Sequence, residues 1–155
     1  MQTFRITFIG HRQIFGNYGL EDEIEDIVKE ALLRHEFVEL YVGRNGDFDI
    51  LAASAVKRAQ KAVGEKNSSL ILVEPYKMKD DMYYEKFYET ILYPVKTHPK
   101  SAITERNRWM IERADLVIAF VESEKKGGAY TALKYATSLG TEIINLAMRA
   151  PEKAE

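Results

Sequence analysis

Two short stretches of this chain carry almost nothing but apolar side chains: Ser-Leu-Ile-Leu-Val at residues 69–73 and Asp-Leu-Val-Ile-Ala-Phe at residues 115–120. Neither alternates apolar with polar, so neither is a strand with one wet face, and both are short for a buried helix. A strand covered on both faces by helices has this character, and sheets covered in that way are parallel. Parallel neighbours cannot be joined by a tight hairpin; they need a crossover, usually a helix. The two runs therefore call for helices between strands along the rest of the chain.

The remaining pattern supplies them. Residues 3–9 alternate, are rich in β-branched and aromatic side chains, and read as a strand ended by Gly10. Leu20, Ile24, Ile27, Val28, Ala31 and Leu32 then recur at helical spacing, with Glu21, Asp22, Glu23 and Glu25 at the N-terminal end, where the helix dipole favours acids. Residues 37–42 form a second strand closed by Gly43. Phe48, Leu51, Ala52, Ala55, Val56, Ala59 and Val63 mark the inner face of a second helix that Gly64 terminates, while Lys57, Arg58 and Lys61 face outward. Residues 77–99 differ in kind, with Tyr83, Tyr84, Phe87, Tyr88 and Tyr93 crowded among lysines and acids. This stretch reads as a lid-like insert holding a short helix and a short strand near 91–95. A helix over 100–113 leads into the strand at 115–120, Gly127-Gly128 opens a last helix that Gly140 ends, and 142–146 is the final strand. The fold class is α/β: a doubly wound, mostly parallel sheet with helices on both faces, in one domain spanning 1–148, with a polar tail at 149–155.

Composition narrows the function. A net charge of -2 and a pI near 6.0 argue against a protein built mainly to hold nucleic acid. With no cysteine there is no disulfide, no thiolate metal site and no thiol nucleophile, which suits a reducing cytosol. The three histidines lack ligand spacing, so no metal is expected. No apolar run is long enough for a bilayer and the first ten residues pattern as a strand, so the expected location is cytoplasmic.

In a parallel sheet, the loops that follow strand C-termini share one edge, and ligands bind there. The unusual residues of this chain collect on that edge: Gly10-His11-Arg12 after the first strand, Gly43-Arg44-Asn45-Gly46-Asp47-Phe48-Asp49 after the second, Glu74-Pro75-Tyr76 after the third, and Lys125 to Thr131 after the strand at 115–120. Gly127 and Gly128 let backbone N–H groups point at an anion at a helix N-terminus, and Lys125, Lys126 and Thr131 complete a phosphate cradle; the plain alternative is a flexible turn with solvated lysines. Arg12 is a bidentate donor to phosphate or carboxylate and His11 a donor or proton carrier, unless the pair only caps strand-end carbonyls. Gly43 and Gly46 permit positive φ and close approach of a ligand. Asp47 is the expected N-cap of the second helix, and Asp49 either serves the helix dipole or binds a ribose hydroxyl. One of Arg106 and Asn107 is expected to look into the cleft.

Taken in order, Thr7-Phe8-Ile9-Gly10-His11-Arg12, Tyr41-Val42-Gly43 through Ala53, Leu72-Val73-Glu74-Pro75-Tyr76, Glu105 to Met110, Asp115 to Phe120 and Gly127-Gly128 resemble the SLOG superfamily, which joins the Smf/DprA DNA-binding proteins to the LOG nucleotide hydrolases. The likeness is greatest to its YpsA-like branch of small bacterial and phage proteins. It implies a Rossmann-like fold, a nucleotide or ADP-ribose-like ligand with the glycine turn on phosphate, and a homo-oligomer, a dimer. In LOG enzymes an Arg and a Glu release a base from a nucleoside monophosphate. Arg106 resembles that Arg and is the candidate catalytic residue, whereas Lys134 stands where the Glu belongs and Tyr130 where the motif has its third glycine. No carboxylate is then left in that place to stabilise an oxocarbenium-like centre.

Three readings follow. The first is a nucleotide-binding sensor or regulator, whose ligand set is Gly10, His11, Arg12, Gly43, Arg44, Asn45, Gly46, Asp49, Glu74, Pro75, Arg106, Asn107, Gly127, Gly128 and Thr131. The second is a nucleotide hydrolase or transferase using Arg106 with Glu74, Asp47 or Asp49. The third is a DNA-binding module, for which Lys57, Arg58 and Lys61 offer a small basic face.

Overall fold

The computed structural model describes residues 2–44, 46–96 and 99–148. They form β1 (Thr3–Gly10), α1 (Leu20–Arg34), β2 (Phe37–Val42), α2 (Asp47–Val63), β3 (Ser68–Val73), α3 (Asp81–Tyr84), β4 (Thr90–Leu92), α4 (Pro99–Arg113), β5 (Leu116–Phe120), α5 (Gly128–Ser138) and β6 (Glu142–Asn145), followed by a 3-10 turn at Leu146–Met148. The strands make one sheet in the order β4-β3-β2-β1-β5-β6, with every neighbouring pair parallel. This is a Rossmann-like doubly wound α/β fold.

Alternation along each strand feeds two apolar layers. Ile6 and Phe8 of β1, Leu40 and Val42 of β2, Leu70 and Leu72 of β3 and Ile118 of β5 point to the side covered by α1 and α2. Ile9, Tyr41, Ile71, Val73, Val117 and Ala119 point to the side covered by α4 and α5, against Met110, Ile111, Ala132 and Ala136. Because both faces are dry, the strands lose their polar positions, which is why the central runs are continuous. One polar side chain is fully buried in β1: the Thr7 hydroxyl donates to the Met110 carbonyl at 2.9 Å, so its burial leaves no bond unmade. Small residues at Ala52, Ala55 and Ala59 bring α2 close to α1, and Gly64, at φ +113, stops α2 in a conformation that a side chain resists.

One expectation is revised. The helix α2 begins at Asp47 and not after it, with Gly46 at the N-cap and no side-chain cap. The Asp47 carboxylate instead accepts the Ile14 N–H at 3.0 Å, and its own N–H donates to the Arg12 carbonyl at 2.8 Å. A carboxylate at the first helical position faces outward from the helix axis, so the neighbouring loop after β1 captures it. The insert, read as lid-like, holds the expected short helix and short strand, α3 and β4. It returns to the sheet as the parallel edge strand β4, with the Glu74 N–H donating to the Leu92 carbonyl and the Glu89 N–H to the Leu70 carbonyl. The tail at 149–155 and Asn45 lie outside the described residues. Among the described residues, no helix is long and apolar enough to cross a membrane.

Candidate functional site

From β1 the chain winds one way, through β2 and β3 to β4; from β5 it winds the other, to β6. The loops leaving β1 and β5 therefore diverge, and the sheet opens into a crevice at its C-terminal edge. A cleft of about 750 Å³ occupies that point. The β1 loop contributes Gly10, His11, Arg12 and Gln13; the β2 side contributes Gly43, Gly46 and Asp49; α4 contributes Ile103, Arg106, Asn107 and Met110; and the β5 loop contributes Glu124 to Ala129. Both Arg106 and Asn107 reach it, one more than expected.

The glycines of this cleft have different reasons. Gly10 lies so close under the Phe48 ring that a Cβ would overlap it, and a Cβ on Gly46 would overlap the Arg12 backbone. On Gly43 it would lie 2.8 Å from Arg106 Nη1 and 2.9 Å from Asp49 Oδ2. Neither Gly43 nor Gly46 has positive φ, so clearance and not backbone conformation is what they supply. Gly127 and Gly128 differ again: a Cβ on either meets no protein atom within 4 Å. Only open cleft lies beside them.

Arg106 is buried to 4% exposure, yet lines the cleft. Its Nη1 donates to the Val73 carbonyl at 2.8 Å and its Nε to Asn107 Oδ1 at 2.9 Å, which fixes the guanidinium plane. Burial lowers its pKa, against Asp49 and Glu74, which act to raise it. A guanidinium nonetheless stays charged, so the floor of the cleft holds a fixed cation.

His11, expected as a donor or proton carrier unless it caps strand-end carbonyls, uses one ring nitrogen as an acceptor. Its Nε2 accepts the Glu122 N–H at 2.8 Å, and burial followed by Lys125 lowers its pKa, against Glu122 and Glu124. Asn145, which the sequence reading missed, secures the preceding residue: its Oδ1 accepts the Val121 N–H at 3.0 Å and its Nδ2 donates to the Val121 carbonyl at 2.9 Å. An Asn directly after the apolar pair Ile143-Ile144 was the available signal.

Arg44, Glu74, Pro75 and Thr131 do not line the cleft. Arg44 turns toward the insert, where its Nε donates to Glu74 at 2.7 Å, its Nη2 bonds Asp80 and Asp81, and its guanidinium lies 4.3 Å from the centroid of the Tyr84 ring. Glu74 is 1% exposed. Burial, helped by Asp81 and opposed by Arg44, pushes the Glu74 carboxyl up to about 7. Burial would raise Asp81 also, but bonding with Glu74, Tyr93, the Met78 amide and Arg44 holds it at about 2. The cluster fastens the insert to the sheet. Thr131 is exposed on α5, and Lys134, also exposed, lies beside Tyr130 with Lys126: 5.6 and 3.9 Å from the ring centroid. Of the three candidate acids, only Asp49 lines the cleft. Among the described residues, no group of three or more His, Asp or Glu is arranged to hold a metal ion.

No family model matches the chain, and no curated protein matches it. Solved structures do. DNA processing protein A (DprA) from Streptococcus pneumoniae superposes with a TM-score of 0.63 at 14% identity, over 90% of this chain and 49% of that one. This chain thus spans about half of that protein's length. The molybdenum cofactor carrier protein from Chlamydomonas reinhardtii superposes with a TM-score of 0.58 at 11% identity, over 94% of this chain and 78% of that one. At such identities the likeness is one of fold.

Proposed function

We propose that this chain binds a nucleotide or nucleotide-derived ligand in the cleft at the C-terminal edge of its sheet and acts as a sensor or regulator. One observation carries the reading: a fixed buried cation, Arg106, and an open glycine pair at the N-terminus of α5 converge on a single cavity of about 750 Å³. That volume lies within the roughly 300–1,000 Å³ of small-molecule sites. The backbone N–H groups at Gly127 and Gly128 receive the phosphate, helped by Arg12, Lys125 and Lys126, and Asp49 takes a sugar hydroxyl beside Arg106. Within this reading the chain is a SLOG-type protein of the YpsA-like branch, cytoplasmic and dimeric. The two neighbours described above are named for processing DNA and for carrying a cofactor. A cleft of this size favours the small molecule.

A hydrolase is the second reading, and Asp49 is what favours it, as the candidate carboxylate that shares the cleft with Arg106. Thermal denaturation against nucleoside monophosphates, diphosphates, cyclic nucleotides, NAD and ADP-ribose separates the two, provided each mixture is also assayed for released base. A ligand that binds only the folded chain raises the midpoint. The sensor reading expects a shift that Arg12→Ala or Gly128→Asp abolishes, with the ligand recovered intact. Released base would transfer the protein to the hydrolases, and no shift with any compound would end the nucleotide reading.

A further inference from the structure

The bond between His11 and Glu122 is conditional in a way that the rest of the cleft is not. An imidazole nitrogen accepts a hydrogen bond only while it carries no proton, so the 2.8 Å contact from the Glu122 N–H to Nε2 belongs to neutral His11, with its proton on Nδ1. Glu122 begins the turn that the Lys125 N–H closes by donating to the Glu122 carbonyl at 3.1 Å. The same segment then delivers Lys125, Lys126, Gly127 and Gly128 to the cleft. Asn145 fixes Val121 one residue earlier; His11 fixes the turn itself. Bonds made by the turn's own side chains, Lys125 with Glu122 at 3.0 Å and Lys126 with the Ser123 carbonyl at 2.9 Å, shape it without tying it to β1.

We propose that His11 is a positioning residue for the anion site: its neutral Nε2 holds the turn between β5 and α5 in the binding shape, and protonation of His11 releases that turn and switches anion binding off. The proposal rests on the reading of this cleft as an anion-accepting ligand site. The charged groups facing His11 are Lys125, Glu122 and Glu124 from the turn, with Arg12 next to it in the chain. Lys125 opposes the proton and the two glutamates favour it. The expected sign is contrary to bare electrostatics, in which an imidazolium beside the site would tighten an anion.

Sulfate is a suitable probe, because its charge stays constant while His11 titrates. Its affinity is measured over about pH 5 to 8 together with the exchange rate of the Glu122 amide and the tautomer of His11 by NMR. Wild type should show Nδ1–H His11 and a Glu122 amide protected beyond its intrinsic rate near neutrality. Protection and sulfate affinity should fall together in acid, by about tenfold per pH unit once His11 is mostly charged, because the binding-competent fraction falls by that factor. His11→Gln places an amide oxygen near where Nε2 stands, an acceptor that does not titrate, and should bind sulfate with no acid loss; if that variant melts lower, the wild-type tautomer and the Glu122 amide exchange carry the test. Sulfate binding that strengthens in acid, a Glu122 amide unprotected at neutral pH, or an acid loss that persists in the Gln variant would overturn the proposal. If sulfate fails to bind at every pH, the function proposed above fails, and the tautomer and the amide exchange decide the positioning role by themselves.

Discussion

Gly43 is the residue on which the floor of the cleft depends. A methyl group there would sit 2.8 Å from Arg106 Nη1 and 2.9 Å from Asp49 Oδ2, closer than either atom tolerates. Arg106 cannot yield cheaply, since it is buried and tied to the Val73 carbonyl. Gly43→Ala should therefore cost about 1–3 kcal/mol by overpacking and also abolish any ligand-induced rise in melting temperature. Gly128→Ala should do the reverse. No protein atom lies near the added Cβ, so stability should change by less than about 0.5 kcal/mol, while the ligand-induced shift is lost because the methyl group enters the open cleft. Calorimetry of the two variants with and without ligand checks both, and a retained shift in Gly128→Ala would remove phosphate from the glycine pair. These glycines stood out in the sequence, but their reasons did not. Gly43 answers to Arg106, sixty-three positions away in the chain, and no local pattern records so distant a clearance.

At the scale of elements, strands and helices were legible because each follows its own period, with boundaries within a residue or two of those observed. The insert was less so. Its short helix and strand were expected, but its attachment rests on Arg44, Glu74 and Asp81, which come together from three separate segments. Read locally, Arg44 and Glu74 look like ligand residues at a sheet edge; folded, they bind each other. Removing Arg44 leaves two nearly buried carboxyl groups without their cation, so Arg44→Ala should destabilise the protein by about 3 kcal/mol or more, measurable by denaturant unfolding. The same cluster sets a pH dependence. The Glu74 carboxyl is raised to about 7, so its contribution is complete below the ordinary carboxylate value near 4.5 and is lost as the pH rises through 7. Asp81 works in the opposite sense, its contribution present above 3.8 and lost only as the pH falls through about 2. Between about pH 5 and 8 the wild-type melting point should therefore decline relative to Glu74→Gln, which stays neutral throughout. Parallel curves for the two proteins would mean that Glu74 is ionised in the fold at all these values.

For the molecule as a whole, the question is where its positive charge is available. The sequence offered Lys57, Arg58 and Lys61 as a basic face for nucleic acid, but the fold pairs Arg58 with Glu21, Asp22 and Glu25 across the contact between α1 and α2, and Lys57 with Glu89. A charge balance read from sequence counts cations without knowing which of them acids already cover, and here the covering acids lie on α1 and just before β4. The cations at the mouth of the cleft are Arg12, Lys125 and Lys126, with Lys134 nearby on α5. Lys125 is itself paired with Glu122. A nucleic acid lying across this edge would thus displace counterions with three or four charges at most, a salt slope of only about −2 to −3 for a single strand. On a protein of net charge -2, that leaves little affinity at physiological ionic strength. Titrating a fluorescent single-stranded oligonucleotide at several salt concentrations should show weak binding with that shallow slope, and a small nucleotide that raises the melting point should displace the strand from the shared cations. A slope well beyond −3 would require a basic surface larger than the mouth of this cleft provides, and would move the function toward nucleic acid.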